Sequence, residues 1–282
     1  MLLDDEPPEA YKEEAAVWRI LEPYFRPDQG TIVRHAVYQF RSLIAERMRE
    51  GRVMLAGDAA HLMPPFMGEG MCSGLRDANN LAWRIDLLLR GIAAPEILDE
   101  YTSERRFQNE VTVGISIEMG KVSCTLDPVA AAQRDAAFRS GDAPPPPPLP
   151  GLGPGLKHRI PDPVAGERAV QGRVTSAGGS GRFDDVVGRG FVLITVNGDP
   201  YAQLEPAQLA FLEGIGTQIV TLDPAVPGAL TDLDGELSEW LTTAGLEAVI
   251  SRPDYYAFGG VSSSSEIPAL VDDLRLQITG DR

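Results

Sequence analysis

A stripe of apolar residues between positions 75 and 89 predicts an amphipathic helix. Its members recur at intervals of three and four residues, the spacing of one helix face: Leu75, Ala78, Ala82, Ile85 and Leu89. Three polar residues, Asp77, Asn80 and Arg84, share another face of the same segment. Gly91 is a typical helix end, because glycine readily adopts the left-handed conformation that closes a helix. We therefore predict a core-facing helix that begins near Met71.

Other patterns in the first half of the chain indicate strands. Residues 32–40 alternate as a half-buried strand does, and residues 52–56 form a compact apolar run that suits a buried strand. Alternating strand aromatics are usually core, so we expect Tyr38 and Phe40 in the core, with an aromatic pocket as the alternative. Residues 111–119 also alternate, and this pattern by itself favours a strand.

The second half of the chain alternates predicted strands with predicted helices. The strands are residues 191–196, 217–222, 247–251 and 255–258, and the helices are residues 206–214, 236–245 and 266–278. This order is typical of a small α/β layer.

A proline- and glycine-rich tract separates the two halves. Five consecutive prolines begin at Pro144, and such a run favours an extended, semi-rigid spacer. We predict a first domain at 1–140, a linker at 141–163 and a C-terminal domain at 164–282. A recognition motif within the tract is the alternative to a spacer. We expect the C-terminal domain to fold by itself, because it has its own strands and helices.

The charge and cysteine content exclude several functions. The chain has 282 residues and a formal net charge of −16, which argues against binding to nucleic acid or to anionic membranes. Cys72 and Cys124 lie far apart and form no metal-ligand spacing, so we expect no metal and a cytoplasmic, reducing location. No apolar run reaches the roughly 18 residues expected of a membrane span. A thiol redox role is disfavoured because residues 164–282 contain no cysteine.

The stretch GDAAHLMPPFMGEGMCSGLRDANN joins the predicted strand to the predicted helix. Gly57 permits a tight turn, which places Asp58 at the carboxyl end of the strand, where ligands bind in open α/β sheets. An ionised carboxylate only accepts hydrogen bonds, so a polyol or ribose hydroxyl is a fitting donor. Gly68 and Gly70 let the backbone approach a flat group, and the amides at the helix start favour an anionic one. The alternative is a structural turn that caps the helix.

Residues 57–91 resemble the second flavin-contact motif of the FAD-dependent aromatic monooxygenases related to para-hydroxybenzoate hydroxylase. DEYTSERR after it is similar to their D-x-Y-x-x-E-R-R pattern. YQFRSLIAERMREGRV and EMGKVSCTLDPVAAAQRDAAF resemble the 3-(3-hydroxyphenyl)propionate and resorcinol hydroxylase branch. The resemblance covers essentially the whole chain, most specifically residues 57–106. It implies a mixed α/β fold: the C-terminal part of a flavin monooxygenase, followed by a thioredoxin-like domain like that of the phenol hydroxylases.

The resemblance also implies cofactor-binding residues: Gly57, Asp58, Pro65, Gly68, Gly70, Met71 and Cys72. Asp58 would bind the ribityl–pyrophosphate region of FAD, and the turn at Pro65 would lie beside the isoalloxazine ring. The amides around Gly70, Met71 and Cys72 would face N1 and the C2 carbonyl, where charge gathers on the reduced flavin. The family has a long helix over 111–119, so the resemblance predicts helix there. It leaves the catalytic base unidentified.

The implied activity is hydroxylation of a phenolic compound with FAD, O2 and NADPH or NADH, through a flavin hydroperoxide. The sequence contains no G-x-G-x-x-G turn after a strand, which in this family holds the ADP half of FAD; GLGPGL at Gly151 follows prolines and lacks the last glycine. We therefore expect this chain by itself to bind FAD weakly or not at all. A homodimer, or an N-terminal half on another chain, stays open. The alternative function is a non-catalytic remnant or an assembly module.

Three further groups of side chains have structural interpretations. A hydrogen-bonded structural role is expected for His61, with a flavin contact as the alternative. Cys72 is expected to be a small residue at the helix start rather than a nucleophile. Glu104, Arg105 and Arg106 are expected on a helix surface or at a domain contact.

Overall fold

The computed structural model describes residues 6–145 and 147–280. The chain divides into two units, one ending at Arg41 and one beginning at Ser42. The first unit contains helix α1 (Glu14–Leu21), preceded by a single 3-10 turn.

The strand predicted at 32–40 is wrong. This stretch has no regular structure, and its aromatic side chains are exposed rather than in a core: Tyr38 by 74% and Phe40 by 53%. Alternation produces a strand only where a partner strand completes the hydrogen bonds. The described part of this unit contains no such strand.

The second unit begins with four short strands and three helices. They are β1 (Leu43–Ile44), β2 (Arg49–Glu50), β3 (Val53–Met54), β4 (His61–Leu62), α2 (Gly70–Leu89), α3 (Asp99–Ser123) and α4 (Pro128–Ser140). Strand β1 pairs antiparallel with β4, and β2 pairs antiparallel with β3. The strand predicted at 52–56 is therefore present, but it is only two residues long.

Helix α3 confirms the resemblance and contradicts the alternating pattern at 111–119. Its buried positions recur at helical spacing but are mostly polar: Tyr101, Glu104, Arg105, Gln108, Asn109, Thr112, Val113, Ser116 and Gly120. Because the face of α3 that points inward carries polar side chains, its apolar residues do not mark the buried side, and hydrophobic periodicity gives the wrong element here.

The remaining elements form two sheets with helices. They are β5 (Arg173–Ser176), β6 (Gly179–Arg182), α5 (Phe183–Val187), β7 (Val192–Thr195), α6 (Pro206–Gly214), β8 (Gln218–Thr221), β9 (Thr231–Asp232), α7 (Glu236–Ala244), β10 (Ala248–Ser251), β11 (Ala257–Val261) and α8 (Ile267–Thr279). The larger sheet has the order β11-β10-β7-β8, with β7 parallel to β8 and the other pairs antiparallel. This βαβ unit followed by a ββα unit is the thioredoxin-like arrangement implied by the resemblance.

One hydrophobic core extends from helix α2 into the C-terminal sheet. Trp83 and Leu87 of α2 belong to the same buried cluster as Leu193, Ile250 and Phe258 of the sheet. The Trp83 ring meets Phe191 edge-on, with centroids 5.4 Å apart. A second cluster covers the other face of the sheet beneath α7. The domain boundaries predicted from the sequence stay a prediction, but the two predicted domains share this core.

The second half of the proline-rich tract packs against the sheet edge. Leu152 and Leu156 are buried, and the His158 amide donates to the Phe258 carbonyl at 2.7 Å. Since β11 is an outer strand, this segment covers one edge of the sheet. Among the described helices, none is both long and apolar enough to cross a membrane.

Candidate functional site

The segment predicted to face a ligand folds as short turns that lead into α2. Gly57 opens a 3-10 turn with a φ of 58°, in the left-handed region that favours glycine. Strand β4 follows, and a second 3-10 turn at Pro65–Met67 ends at Gly68, where φ is 67°. Helix α2 then begins at Gly70, one residue before the predicted start.

None of the seven predicted cofactor-binding residues is buried. Asp58, Pro65, Gly68 and Met71 are exposed, and Gly57, Gly70 and Cys72 are partly exposed. The Asp58 carboxylate makes no hydrogen bond or ion pair with any residue in the described part of the chain. It is therefore free to accept hydrogen bonds from a ligand.

The first amides of α2 are also free. The Ser73 amide donates to the Glu69 carbonyl at 2.8 Å, but no described group accepts from the amides of Gly70, Met71 or Cys72. No side chain caps this helix end. Unpaired amides at a helix start carry partial positive charge, so they suit the region of a flavin that becomes anionic on reduction. The residues present therefore fit a flavin ring at this helix end.

A buried carboxylate, Asp77, fixes the loop on α2. Asp77 Oδ2 accepts from the Gly57 amide at 2.8 Å and lies 2.7 Å from His61 Nε2. Asp77 Oδ1 accepts from Arg105 Nε at 2.8 Å, so α3 joins the same contact. Burial alone would raise the pKa of Asp77, but the His61 and Arg105 contacts and the Gly57 amide outweigh it and lower the pKa. Asp77 thus holds the backbone next to Asp58.

Close packing holds the loop from two sides. A Cβ atom on Gly74 would lie only 3.3 Å from the Gly57 Cα, so glycine at 74 lets the loop lie directly on α2. On the α3 side, Ser116 Oγ donates to the Pro64 carbonyl at 2.8 Å. A Cβ on Gly120 would come within 2.5 Å of the Phe66 ring. The turns that carry Asp58 and Pro65 are therefore fixed by both helices.

A second buried polar cluster joins α2 and α3 to the C-terminal sheet. Glu104 of α3 accepts two hydrogen bonds from Arg252, both at 2.8 Å, and forms an ion pair with Arg84 at 2.9 Å. Arg252 also donates to Asp254, and Asn80 donates to both Glu104 and Asp254. Every member is less than 5% exposed.

The charges in this cluster perturb one another. Burial favours protonation of Glu104, but Arg252 and Arg84 outweigh it and lower the pKa to about 2. Glu100, one turn earlier, has a pKa raised to about 7 by burial and by the nearby charge of Glu104. Burial lowers the pKa of the Arg84 guanidinium, against the attraction of Glu104. Glu104 and Asp254 together balance the charges of Arg84 and Arg252, and Glu100 is the additional acid beside them.

Sequence reasoning located the exposed loop but missed its support. The structural role expected for His61 agrees with its hydrogen bond to Asp77. The prediction of a helix surface is wrong for Glu104 and Arg105, which are 1% exposed; the alternative, a domain contact, describes Glu104. Arg106 is partly exposed and pairs with Glu110. The sequence signal that could have indicated a buried polar face was the spacing of Asp77, Asn80 and Arg84, which lie three or four residues apart on one face of the helix.

The family models divide at the tract. A model described as FAD binding domain matches residues 4–113, and one described as HcaD C-terminal domain matches residues 166–277. A curated relative named probable NADH-specific resorcinol 4-hydroxylase, from Rhodococcus jostii, is 34% identical over 92% of this chain and 49% of its own length.

This chain is a homologue of the FAD-dependent aromatic hydroxylases. A second relative, the 3-(3-hydroxy-phenyl)propionate/3-hydroxycinnamic acid hydroxylase of Mycolicibacterium gilvum, is 32% identical over 90% of this hydroxylase homologue and 49% of its own length. The chain spans about half the length of the curated relatives it matches.

Solved structures support the fold of the hydroxylase homologue. Aklavinone-11 hydroxylase with FAD and aklavinone aligns with a TM-score of 0.72 over 99% of this chain and 53% of that chain, at 24% identity. The flavin-dependent monooxygenase PieE aligns with a TM-score of 0.70 over 97% of this chain and 55% of that chain, at 22% identity. At this identity the likeness establishes the fold alone.

Proposed function

We propose that this chain supplies the flavin-contacting segment of an enzyme that hydroxylates a phenolic compound with FAD, O2 and NADH or NADPH. The observation that carries the proposal is that the carboxylate of Asp58 and the first amides of α2 have no described partner. The backbone that presents them is held by the buried pair of Asp77 and Arg105. In this proposal Asp58 accepts hydrogen bonds from the ribityl hydroxyls, and the amides of Gly70, Met71 and Cys72 face the ring.

The remaining predicted residues shape the backbone around the ring. Gly57 and Gly68 adopt left-handed conformations, and no described atom lies within 4 Å of a Cβ built on Gly68. Pro65 is exposed at the start of its turn, where a flat group can lie against it. When bound, FAD supplies the oxygen-activating redox chemistry, and the protein supplies orientation and exclusion of water.

The names of the relatives guide the choice of substrate and electron donor. Resorcinol and 3-(3-hydroxyphenyl)propionate are the phenols to test first, and NADH is the first donor to test. The chain is half the length of these relatives, so the proposal includes a second portion that carries the G-x-G-x-x-G turn. That portion belongs to the same polypeptide, to another chain or to a partner in a dimer.

The decisive experiment restores the missing portion. This chain is co-expressed with the part of the Rhodococcus jostii relative that it does not match, and FAD content, NADH oxidation and hydroxylated product are measured. Stoichiometric FAD with substrate-dependent NADH oxidation supports the proposal. An assembled complex without FAD contradicts it and favours the alternative, a non-catalytic assembly module. Exposed apolar side chains on α4, such as Val129 at 66% and Phe138 at 60%, are the observation that favours this alternative.

Two variants of the restored enzyme test the assigned contacts. Asp58→Ala should weaken FAD binding about tenfold to a hundredfold, because the ribityl hydroxyls lose a charged acceptor. Gly70→Val should lower the flavin midpoint potential, because displacing the helix start removes stabilisation from the anionic reduced form. Asp86→Ala, an exposed change on the same helix, is the control. Wild-type FAD affinity in Asp58→Ala would refute the role of this carboxylate.

A further inference from the structure

A small cleft lies where α2, α3 and the C-terminal domain meet. Its interior has room for about one water-sized atom, and the cleft opens partly to solvent. Its lining includes three arginines, one from each of these regions: Arg76, Arg105 and Arg168. The flavin-facing residues proposed above do not line it, so the inference below is independent of the proposed function.

The floor of the cleft is built from buried polar side chains. Arg105, Gln108, Thr112 and Tyr256 are 1%, 3%, 3% and 4% exposed. Gln108 Nε2 donates to the Tyr256 hydroxyl at 2.9 Å and to the Pro150 carbonyl at 2.9 Å. Gln108 Oε1 accepts from Arg105, whose Nε is held by Asp77. These contacts fix the floor in one arrangement, so a ligand would meet a preorganised surface.

The cleft has more hydrogen-bond donors than acceptors. The Arg168 guanidinium has no hydrogen bond or ion pair with any described residue. The Tyr256 hydroxyl accepts from Gln108, and its own proton has no acceptor in the described part of the chain. Arg76 donates through Nη1 to Glu69 at 2.9 Å, and no described acceptor is recorded for its other nitrogens. Donors without acceptors in a partly enclosed site suit an anion that carries several oxygens.

The charge balance defines the ligand further. Asp77 neutralises Arg105 and Glu69 neutralises Arg76, which leaves Arg168 as the uncompensated charge. The carboxylate of Glu167 points toward Gly151 and is not part of the lining. One excess positive charge therefore faces the cleft in a chain whose net charge is −16.

We propose that this cleft binds an oxyanion group of a small molecule, either a carboxylate or a phosphate. One oxygen enters the floor, where Tyr256 donates to it, and the Arg168 guanidinium contacts the group from the open side in its bidentate geometry. Both groups present acceptor oxygens, in a plane for a carboxylate and tetrahedrally for a phosphate, so the probes must separate them.

The test titrates the full chain with sodium phosphate or sodium acetate by calorimetry. Sodium chloride holds the ionic strength constant, so that general screening does not change. We expect saturable binding of at least one probe, with a millimolar dissociation constant. The backbone amide signals of Thr112 and Tyr256 should shift in nuclear magnetic resonance spectra. Binding of phosphate alone identifies a phosphate site, and binding of acetate alone identifies a carboxylate site.

Three variants decide whether the cleft is responsible. Arg168→Met should weaken binding at least about tenfold by loss of a charge-assisted contact, and Arg168→Lys should weaken it less because the charge remains. Arg182→Met is the matched control: Arg182 is exposed, has no recorded side-chain partner among the described residues and lies outside the cleft. No saturable binding of either probe, or equal losses in Arg168→Met and Arg182→Met, would overturn the proposal.

Discussion

Replacing Glu104 with glutamine should destabilise the whole second unit, because Glu104 is the anion that joins its two parts. The change keeps the size of the side chain and removes its charge. Arg84 and Arg252 then remain buried with too little compensation, and the hydrogen bond from the Leu156 amide loses its charged acceptor. Breaking a buried ion pair by removing one partner typically costs about 3–5 kcal/mol.

The pKa of Glu104 gives an independent magnitude and a pH dependence. A folded pKa of about 2 against the ordinary value of 4.5 corresponds to about 3 kcal/mol of stability at neutral pH. Because the folded pKa is the lower one, this stability is present above pH 4.5 and is lost as the pH falls toward 2. By the same relation, less than half of this stability remains at pH 3. The deficit of Glu104→Gln should therefore shrink between pH 7 and pH 3.

Urea unfolding followed by circular dichroism measures the free energy of unfolding at both pH values. In a background with Trp18→Phe and Trp240→Phe, fluorescence of Trp83 gives a local signal, because Arg84 lies 4.4 Å from the centre of its ring. The matched control is Glu110→Gln on the same helix, which removes an exposed pair with Arg106 and should cost less than about 0.5 kcal/mol. A loss below about 1 kcal/mol for Glu104→Gln, or a deficit that does not change with pH, would refute the reasoning.

Three further changes test other parts of the structure. Glu100→Gln should raise the stability at pH 8 by about 1–2 kcal/mol but not at pH 4.5. Burial raises the pKa of Glu100 to about 7, so the folded state disfavours the ionised carboxylate and loses stability as the pH rises from about 4.5 to 7. Equal effects in thermal melts at both pH values would contradict this. Asp77→Asn should destabilise the chain by about 2–3 kcal/mol and speed hydrogen exchange of the Gly57 amide, and unchanged exchange would show that Asp77 does not hold the loop. Limited trypsin digestion should cut after Arg139, whose side chain is 79% exposed. The two fragments should still elute together from a sizing column, because they share a hydrophobic core. Separate elution would contradict the shared core.

The C-terminal domain was the most predictable part of the fold. The helix predicted at 206–214 matches α6 at both ends, since proline at its start and glycine at its end are local signals. The strand predicted at 255–258 is displaced, because Tyr255 adopts a φ of 66° in a turn and β11 begins at Ala257. In this domain the apolar residues mark the buried side, so hydrophobic periodicity and burial agree.

Only one part of the candidate site, the exposed loop, could be predicted from the sequence. The exposed loop could be found because its glycines, prolines and Asp58 are close together in the sequence. The residues that support it could not, because their partners are distant: Glu104 and Arg252 are separated by 148 positions. A lone buried charge is unfavourable, so charged residues on a helix are expected at the surface unless the partner is known. Helix α3 is an exception, because polar and charged side chains are buried along most of its length.

This arrangement gives the C-terminal domain a defined relation to the loop that we propose faces the flavin. The loop depends on Asp77, whose charge is balanced by Arg105 on α3. Asn80, three residues after Asp77, donates to Asp254 of the C-terminal domain, and Glu104, next to Arg105, accepts from Arg252 of that domain. The same two helices therefore hold the loop at one point and the C-terminal sheet at the next. The C-terminal domain thus completes the buried charge pairs that keep α2 and α3 together beneath the loop that we propose contacts the flavin.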